Sequence, residues 1–382
     1  MEAEKTKFHS WKAGNLCTGC SMCVEGKKLV LFVTGKCPNR CFYCPVSEDK
    51  FGADVVYANE WQVLDPNNPL EMLEEARLTE AMGAGITGGD PLADLKRTCK
   101  YIRILKDEFG KSFHIHLYTP LTLVTESSLK KLFDAGLDEI RFHPMVDDDK
   151  LWKRLELAKA FDWSVGVEIP CVPGKEAESK KLIDFMVDKV DFLNLNELER
   201  SDTTISHYKL DEMGFKQRND TTYGVIGSRE LGFELIKYGR SKGLPVHFCT
   251  GKLKDSVQVG NRLKRRAKNA KKTFDFVTSE GLLIRGVAYY SGLEPGFDFK
   301  KRILEANRFK VVYELSNMKS ELLKSYDLKE EDIFLDELHL RLCMSTELCE
   351  DLCEDLKALG LVPALVEEYP TVDAFSVEVE FL

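Results

Sequence analysis

Between Leu29 and Phe248 the chain alternates short, apolar, β-rich runs with longer amphipathic stretches. The runs are LVLFVTG, GAGITGG, SFHIHLYT, LDEIRFHP, WSVGVEIPCVPG, VDFLNLNEL and LPVHFC. The stretches between them carry apolar residues at i, i+3 and i+4, which is typical of helices that pack on a sheet. Repeated β–α units require parallel strands joined by right-handed crossovers. We therefore predict an α/β fold built on a full or partial (β/α) barrel, whose active site lies at the carboxyl ends of the strands.

The pattern changes after residue 250. A basic segment and a predicted hairpin, FDFVTSEGLLIRGVAYY, are followed by helix and strand patterns that continue to the last residue. This second region predicts a small C-terminal α+β domain. We divide the chain into a Cys-rich N-terminal segment (1–28), the barrel (29–250), an extension formed by the basic segment and the hairpin (251–299), and the α+β domain (300–382).

Composition restricts the class of protein. Hydrophobic residues make up 43% and charged residues 31% of the 382 residues, and no apolar run approaches the ~20 residues of a membrane span. The N-terminus lacks the apolar core of a signal peptide. We expect a cytoplasmic protein without membrane contact. In that compartment thiols stay reduced, so the 12 cysteines indicate metal or redox chemistry rather than disulfides.

Three of these cysteines, Cys37, Cys41 and Cys44, lie in the loop that follows the first predicted strand, in the sequence GKCPNRCFYCPVS. A loop this short can turn three thiolates toward one point, and a cubane iron–sulfur cluster held by three cysteines keeps one iron open. A zinc knuckle is the alternative, although zinc more often takes four ligands from two Cys pairs. The loop follows a strand, which is where a barrel places its chemistry.

The spacing Cys-x-x-x-Cys-x-x-Cys, with Tyr43 before the last cysteine, resembles the signature of the radical S-adenosylmethionine (SAM) superfamily. The phrases KLVLFVTGKCPNRCFYCPVSE and DVVYANE resemble a largely archaeal group within it that is related to pyruvate formate-lyase activating enzyme. The resemblance implies that Cys37, Cys41 and Cys44 hold a [4Fe-4S] cluster whose open iron chelates SAM. It also implies an oxygen-sensitive enzyme that accepts electrons from a low-potential donor of the ferredoxin or flavodoxin type. A 5′-deoxyadenosyl radical would then abstract hydrogen from a substrate.

The same resemblance suggests which residues bind SAM. The element ITGGDP places Gly88, Gly89 and Asp90 where the family commonly has Gly-Gly-Glu, and glycines permit close backbone approach. Taken alone, the element is also compatible with an ordinary βα turn in which Asp90 caps the helix. The remaining expected cofactor-binding residues are Tyr43; His116, Tyr118 and Glu168 near the ribose hydroxyls; Ile169 beside adenine; and Asn196, which closes the adenine pocket.

A second group of cysteines, Cys17, Cys20 and Cys23, precedes the first barrel strand in LCTGCSMC. Cysteines three residues apart can share one metal, so we predict a second iron–sulfur cluster or another metal site here, with Cys249 as the fourth ligand. Surface or structural thiols are the alternative. We interpret Cys99, Cys171, Cys343, Cys349 and Cys353 as packing residues, since free cysteine is often a small buried apolar side chain.

Two substrate classes remain open at this point. Lys252 to Lys272 holds nine Lys or Arg against one Asp in a chain of net charge −9, which favours an RNA base as substrate, because basic clusters bind phosphates. The resemblance to glycyl-radical activases favours a protein or a small metabolite instead. A non-catalytic iron–sulfur electron carrier is a third interpretation, and the presence of ITGGDP argues against it. The sequence does not determine the oligomeric state.

Overall fold

The computed structural model describes residues 3–201, 203, 208–219 and 222–382. The chain forms two compact units, Met1–Arg262 and Leu263–Leu382. The strands of the first unit are β1 (Glu4–Lys5), β2 (Trp11–Ala13), β3 (Lys28–Phe32), β4 (Tyr57–Ala58), β5 (Trp61–Gln62), β6 (Gly83–Thr87), β7 (His114–Thr119), β8 (Glu139–Phe142), β9 (Ser164–Cys171), β10 (Phe192–Glu197), β11 (Gln217–Asn219), β12 (Thr222–Val225) and β13 (Val246–Cys249).

Eleven of these strands form one sheet in the order β1-β2-β13-β10-β9-β8-β7-β6-β3-β4-β5. The seven strands from β13 to β3 are mutually parallel, and they are the seven apolar runs of the sequence. The flanking strands pair antiparallel, β2 on β13 and β4 on β3. Among the described residues β1 and β5 stand at opposite edges and do not pair. The sheet is therefore open, and the predicted α/β fold takes the form of a partial barrel.

Helices connect the parallel strands. Those of the first unit are α1 (Thr18–Cys23), α2 (Leu70–Leu78), α3 (Leu95–Phe109), α4 (Glu126–Ala135), α5 (Glu176–Met186), α6 (Ser228–Ser241) and α7 (Gly260–Ala270), the last of which runs past the unit boundary. The 3₁₀ segments span Pro91–Asp94 and Asp149–Ala160, and a π-helix spans Leu253–Val259. The sequence begins and ends these helices with local signals. Thr125 and Ser128 form a capping box before α4, and Gly136 ends α4 in the left-handed conformation.

The two faces of the parallel sheet differ in chemistry. One face carries buried aliphatic side chains such as Leu31, Ile115 and Val167, which form a single core with the helices. Because successive strand residues point to opposite faces, the alternate positions form the other face, which carries Lys28, His116, Glu139, Arg141, Glu168 and Asn194. The inner face of the partial barrel is thus polar and charged.

The second unit is antiparallel. Its strands are β14 (Phe276–Val277), β15 (Leu283–Tyr290), β16 (Phe334–Asp336), β17 (Arg341–Met344), β18 (Leu361–Glu368) and β19 (Ser376–Phe381); its helices are α8 (Phe299–Glu305), α9 (Arg308–Ser325), α10 (Thr346–Asp351) and α11 (Cys353–Ala358). The sheet order is β16-β17-β15-β18-β19, with β14 also paired to β15. Apolar residues of α9, α10 and α11 pack with the sheet in one core.

In the second unit, two segments whose sequence patterns predict one element each form two elements instead. The apolar run DIFLDELHLRLCM forms two strands, β16 and β17, because the turn between them includes Leu340 at φ 55°. The helical pattern STELCEDLCEDLKALG is interrupted at Leu352 and gives α10 and α11. The hairpin of β14 and β15 forms part of this second sheet. The four-part domain division itself stays a prediction.

Candidate active site

A cavity of about 370 Å³ opens at the carboxyl ends of the parallel strands of the first unit. Five consecutive strands contribute lining residues at or just after their ends: Thr87 from β6, Tyr118 and Thr119 from β7, His143 after β8, Glu168 and Pro170 from β9, and Asn196 and Glu197 from β10. This is the end of the sheet at which parallel β–α folds collect functional groups, since the βα loops converge there.

The loop after β3 brings Cys37, Cys41 and Cys44 to the wall of this cavity. The base of the loop is closed by Gly35, whose N–H donates to the Ala53 carbonyl at 2.9 Å and whose carbonyl accepts from the Gly52 N–H at 2.9 Å. Burial raises the pKa of all three thiols, that of Cys37 to about 11 and that of Cys41 to about 12. The neighbouring Cys44 and Cys37 thiolates add to the rise at Cys41.

The three cysteine side chains are chemically suited to hold an iron–sulfur cluster. Across the described ranges, no three His, Cys, Asp or Glu side chains are placed so that one metal ion could be held between them. The three cysteines of a cubane bind three different irons, so their sulfurs do not need to converge on one point. Three thiols spread along one cavity wall, with polar groups opposite, fit a [4Fe-4S] cluster together with a ligand on its open iron.

Gly88 and Gly89 line the cavity directly after β6, against the base of the cysteine loop. A Cβ added at Gly89 would lie 2.6 Å from the carbonyl oxygens of Gly35 and Lys36, and one added at Gly88 would lie 2.6 Å from that of Thr34. The N–H of Gly89 donates to the Thr34 carbonyl at 2.7 Å. Only glycines allow the two loops to approach this closely.

Asp90, by contrast, is fully buried and does not line the cavity. Its Oδ1 accepts from the Leu92 N–H at 3.0 Å, which caps the following 3₁₀ helix, and from the Thr119 hydroxyl at 2.8 Å. Its Oδ2 has no partner. Burial raises the pKa of this carboxyl to about 6, and the two hydrogen bonds offset part of the rise. In this structure Asp90 joins the ends of β6 and β7.

The other predicted cofactor-binding residues divide between the cavity and its surroundings. Tyr43, Tyr118, Glu168 and Asn196 line the cavity. His116 lies deeper, 1% exposed, with Nε2 3.1 Å from the Tyr118 hydroxyl. The side chain of Ile169 points away into the core shared with the helices, so only its backbone remains available for the predicted role.

The cavity also contains residues that the sequence analysis did not assign to the site. Glu197 and Glu199 follow Asn196 at the end of β10, and Lys254 of the π-helix pairs with Glu199 at 3.0 Å. The sequence offers a signal for the glutamates, since the apolar alternation of LNLNELE breaks at Glu197, where charged residues gather at the carboxyl end of the strand. Lys254 was counted as part of the basic segment. His143 Nε2 lies 2.9 Å from the Tyr43 hydroxyl, which connects β8 to the cysteine loop.

The N-terminal cysteines lie against the polar inner face of the partial barrel. The Sγ atoms of Cys17 and Cys20 are each 3.5 Å from Nη2 of Arg141, and Asn194 Nδ2 donates to Cys20 Sγ at 3.2 Å. Cys249 ends β13 and pairs in register with Asn196 of β10. The structure thus brings Cys17 and Cys20 to the barrel interior. Of the thiols interpreted as packing residues, Cys99, Cys171, Cys343 and Cys349 are buried and Cys353 is partly exposed.

Comparisons with known proteins identify the family of the chain. Residues 31–186 match the Radical SAM superfamily. A protein of Methanocaldococcus jannaschii described as a "putative glycyl-radical enzyme activating enzyme" is 36% identical over 373 residues, which covers 94% of this chain and 91% of that protein. The chain therefore belongs to the radical SAM superfamily, and it is an enzyme.

The solved structures to which the chain is similar resemble it only distantly. Coproporphyrinogen III oxidase from Escherichia coli aligns over 94% of this chain and 96% of its own with 10% identity and a TM-score of 0.36. Methylornithine synthase aligns over 59% of this chain and 72% of its own with 15% identity and a TM-score of 0.37.

The raised pKa of Asp90 predicts a dependence of stability on pH. Because the pKa of the folded carboxyl is about 6 and the ordinary pKa of an aspartate is 3.8, its ionisation opposes folding. The favourable contribution is complete below pH 4 and is lost as the pH rises through 6. Asp90→Asn stays neutral, so we expect its free energy of unfolding to exceed that of the wild type by about 3 kcal/mol at pH 8 and to match it at pH 4.

Urea titrations between pH 4 and pH 8 measure this difference. Asp134→Asn is the control, because Asp134 is exposed and pairs with Lys130 one helical turn away, so its effect is expected to stay within about 0.5 kcal/mol. A difference between Asp90→Asn and the wild type that does not change with pH would contradict the assignment.

Proposed function

We propose that Cys37, Cys41 and Cys44 hold a [4Fe-4S] cluster, that SAM binds in the adjoining cavity, and that the enzyme abstracts a hydrogen atom from its substrate. The observation that carries the proposal is the shared cavity, in which the three thiols and the Gly88–Gly89 turn face Glu168 and Asn196. When bound, the cluster supplies the electron that cleaves SAM to methionine and a 5′-deoxyadenosyl radical.

The chain's own residues position SAM and exclude water. Gly88 and Gly89 present backbone groups beside the cysteine loop, where the amino acid part of SAM would lie. Glu168 and Asn196, which hydrogen-bond to each other at 2.9 Å, offer an acceptor and a donor on the nucleoside side. Tyr43, Phe51, Pro170 and Leu198 supply apolar walls, which limit access of water to a reactive intermediate.

Cys41→Ala tests this mechanism. Losing one thiolate ligand should prevent assembly of the cluster, so we expect formation of 5′-deoxyadenosine from SAM to fall at least about 100-fold, the scale on which loss of a group required for the chemistry acts. The measurement is chromatographic detection of 5′-deoxyadenosine with anaerobic, dithionite-reduced protein. Cys99→Ala, on α3 outside the cavity, is the control and should retain activity. Retention of activity by Cys41→Ala would refute the proposed ligand set.

For the substrate, we propose a glycine residue of a partner protein in preference to an RNA base. The relative named as a glycyl-radical enzyme activating enzyme supports this choice. The basic segment has fewer positive charges available to bind RNA phosphates than its composition indicates. Lys254 pairs with Glu199 inside the cavity wall, Arg262 pairs with Glu60, and Arg262 and Arg266 are buried to 7% and 5% exposure.

Isotope transfer distinguishes the two substrate classes. Source cells are grown on α-deuterated glycine, and their ribonuclease-treated protein fraction is incubated anaerobically with the reduced enzyme and SAM. We expect deuterium in the 5′-deoxyadenosine, because the radical would remove an α-hydrogen of glycine. The control is the RNA fraction of cells grown on deuterated nucleosides. Deuterium arriving only from the RNA fraction would favour RNA and reject the protein substrate.

We also propose that Cys17, Cys20, Cys23 and Cys249 serve a second metal centre; the support is that Cys17 and Cys20 lie side by side at Arg141 on the inner face of the sheet. Iron and acid-labile sulfide per chain provide the measurement. Two cubanes predict about eight irons in the wild type and about four in a Cys37/Cys41/Cys44→Ala variant. About four irons falling to none would instead leave the N-terminal cysteines without iron.

A further inference from the structure

The carboxylate of Glu168 is held by three hydrogen-bond donors at the floor of the cavity. Oε1 accepts from Asn196 Nδ2 at 2.9 Å, and Oε2 accepts from Asn194 Nδ2 and from Arg141 Nη1, both at 3.0 Å. A carboxylate has about four acceptor positions, so one remains for a group in the cavity. The side chain is 15% exposed, and this exposed part faces the cavity.

Arg141 joins the cavity to the barrel interior. Its side chain is 2% exposed, and each of its nitrogens has an assigned partner. Nε donates to Glu139 Oε1 at 2.6 Å, Nη1 donates to the Tyr118 hydroxyl as well as to Glu168, and Nη2 is 3.5 Å from the sulfurs of Cys17 and Cys20. A planar guanidinium can donate hydrogen bonds to all of these partners at the same time, whereas a lysine ammonium cannot.

Helix α1 fixes this arginine from the side opposite the cavity. The Gly19 N–H donates to Glu139 Oε2 at 3.0 Å, and a Cβ added at Gly19 would lie 2.5 Å from Arg141 Nη2 and 2.6 Å from Glu139 Oε1. The helix therefore packs against the ion pair with no space left. Asn194, the second donor to Glu168, is anchored on the same helix through Cys20.

From these contacts we infer that Arg141 is a positioning residue of the SAM site. Held by Glu139 and α1, it fixes Glu168 so that the free acceptor position of the carboxylate receives a hydroxyl of the nucleoside sugar. This inference rests on the proposed function. It gives the N-terminal segment a role in cofactor recognition that does not depend on whether its cysteines also bind a metal, since Arg141 can donate to thiol, thiolate or metal-bound sulfur.

A double-mutant cycle tests the inference. We expect Arg141→Lys and Glu168→Gln each to weaken SAM binding on the order of tenfold, as the loss of a charge-assisted hydrogen bond does. The double variant should bind no more weakly than Glu168→Gln alone, because Arg141 acts through Glu168. Binding is measured by anaerobic equilibrium dialysis of the cluster-loaded protein with labelled SAM.

Sugar selectivity provides a second measurement that a merely structural role would not change. The wild type should prefer SAM over its 2′-deoxy or its 3′-deoxy analogue, and both single variants should lose that preference. Arg341→Lys is the matched control, because Arg341 is an equally buried arginine of the second unit. Its two terminal nitrogens donate to the two carboxylate oxygens of Glu368 at 2.8 and 2.9 Å. It should lower stability and leave selectivity unchanged.

If Arg141→Lys does not fold, Asn194→Ala takes its place in the cycle. This change removes one hydrogen-bond donor to Glu168 and leaves the ion pair between Arg141 and Glu168 intact. Its effect on SAM affinity should also disappear in the Glu168→Gln background. Additive losses in these cycles, or unchanged sugar selectivity in the single variants, would overturn the positioning role. A wild type that binds no SAM would overturn the proposed function itself.

Discussion

The polar inner face of the parallel sheet is the constraint on which the rest of the first unit depends. Strand alternation places aliphatic side chains under the helices and leaves charged groups on the other face. Buried charges are costly unless they are paired and hydrogen-bonded. Arg141 meets this requirement by contacting Glu139, Glu168 and Tyr118, and α1 covers what would otherwise be an open interior. A segment that precedes the barrel in sequence thereby becomes part of its centre.

This constraint also organises the cavity. Its cysteine wall depends on a loop closed at Gly35 and on the contact of that loop with Gly88 and Gly89. The opposite wall depends on Glu168 and Asn196, which the inner-face network holds in place. The two walls come from distant parts of the chain, and each is held by its own hydrogen bonds and close contacts. A cofactor bound between them would meet donors and acceptors that are already oriented, so little further ordering is required on binding.

The basic segment shows how composition and structure can give different answers. Nine positive charges within 21 residues indicate a polyanion site when read as sequence. In the fold, Lys254 faces the cavity beside Glu199, and Arg262 is buried against Glu60. Part of the charge therefore serves internal pairing. Counting charges along a chain does not reveal this, because pairing depends on which acidic residues the other elements bring near.

The sequence by itself determined the seven parallel strands, because their apolar runs are short and bounded by strong turn signals. It also indicated the cysteine triplet, because the three cysteines lie within one short loop. It also indicated that Gly88 and Gly89 belong near the triplet. Only the tertiary structure decided that the barrel is open, that Asp90 caps a helix instead of facing the cavity, and that Lys254 belongs to the site. Those facts depend on contacts between residues far apart in the chain, which no local sequence pattern predicts. The contact of Arg141 with Cys17 and Cys20, across more than 120 positions, is of the same kind.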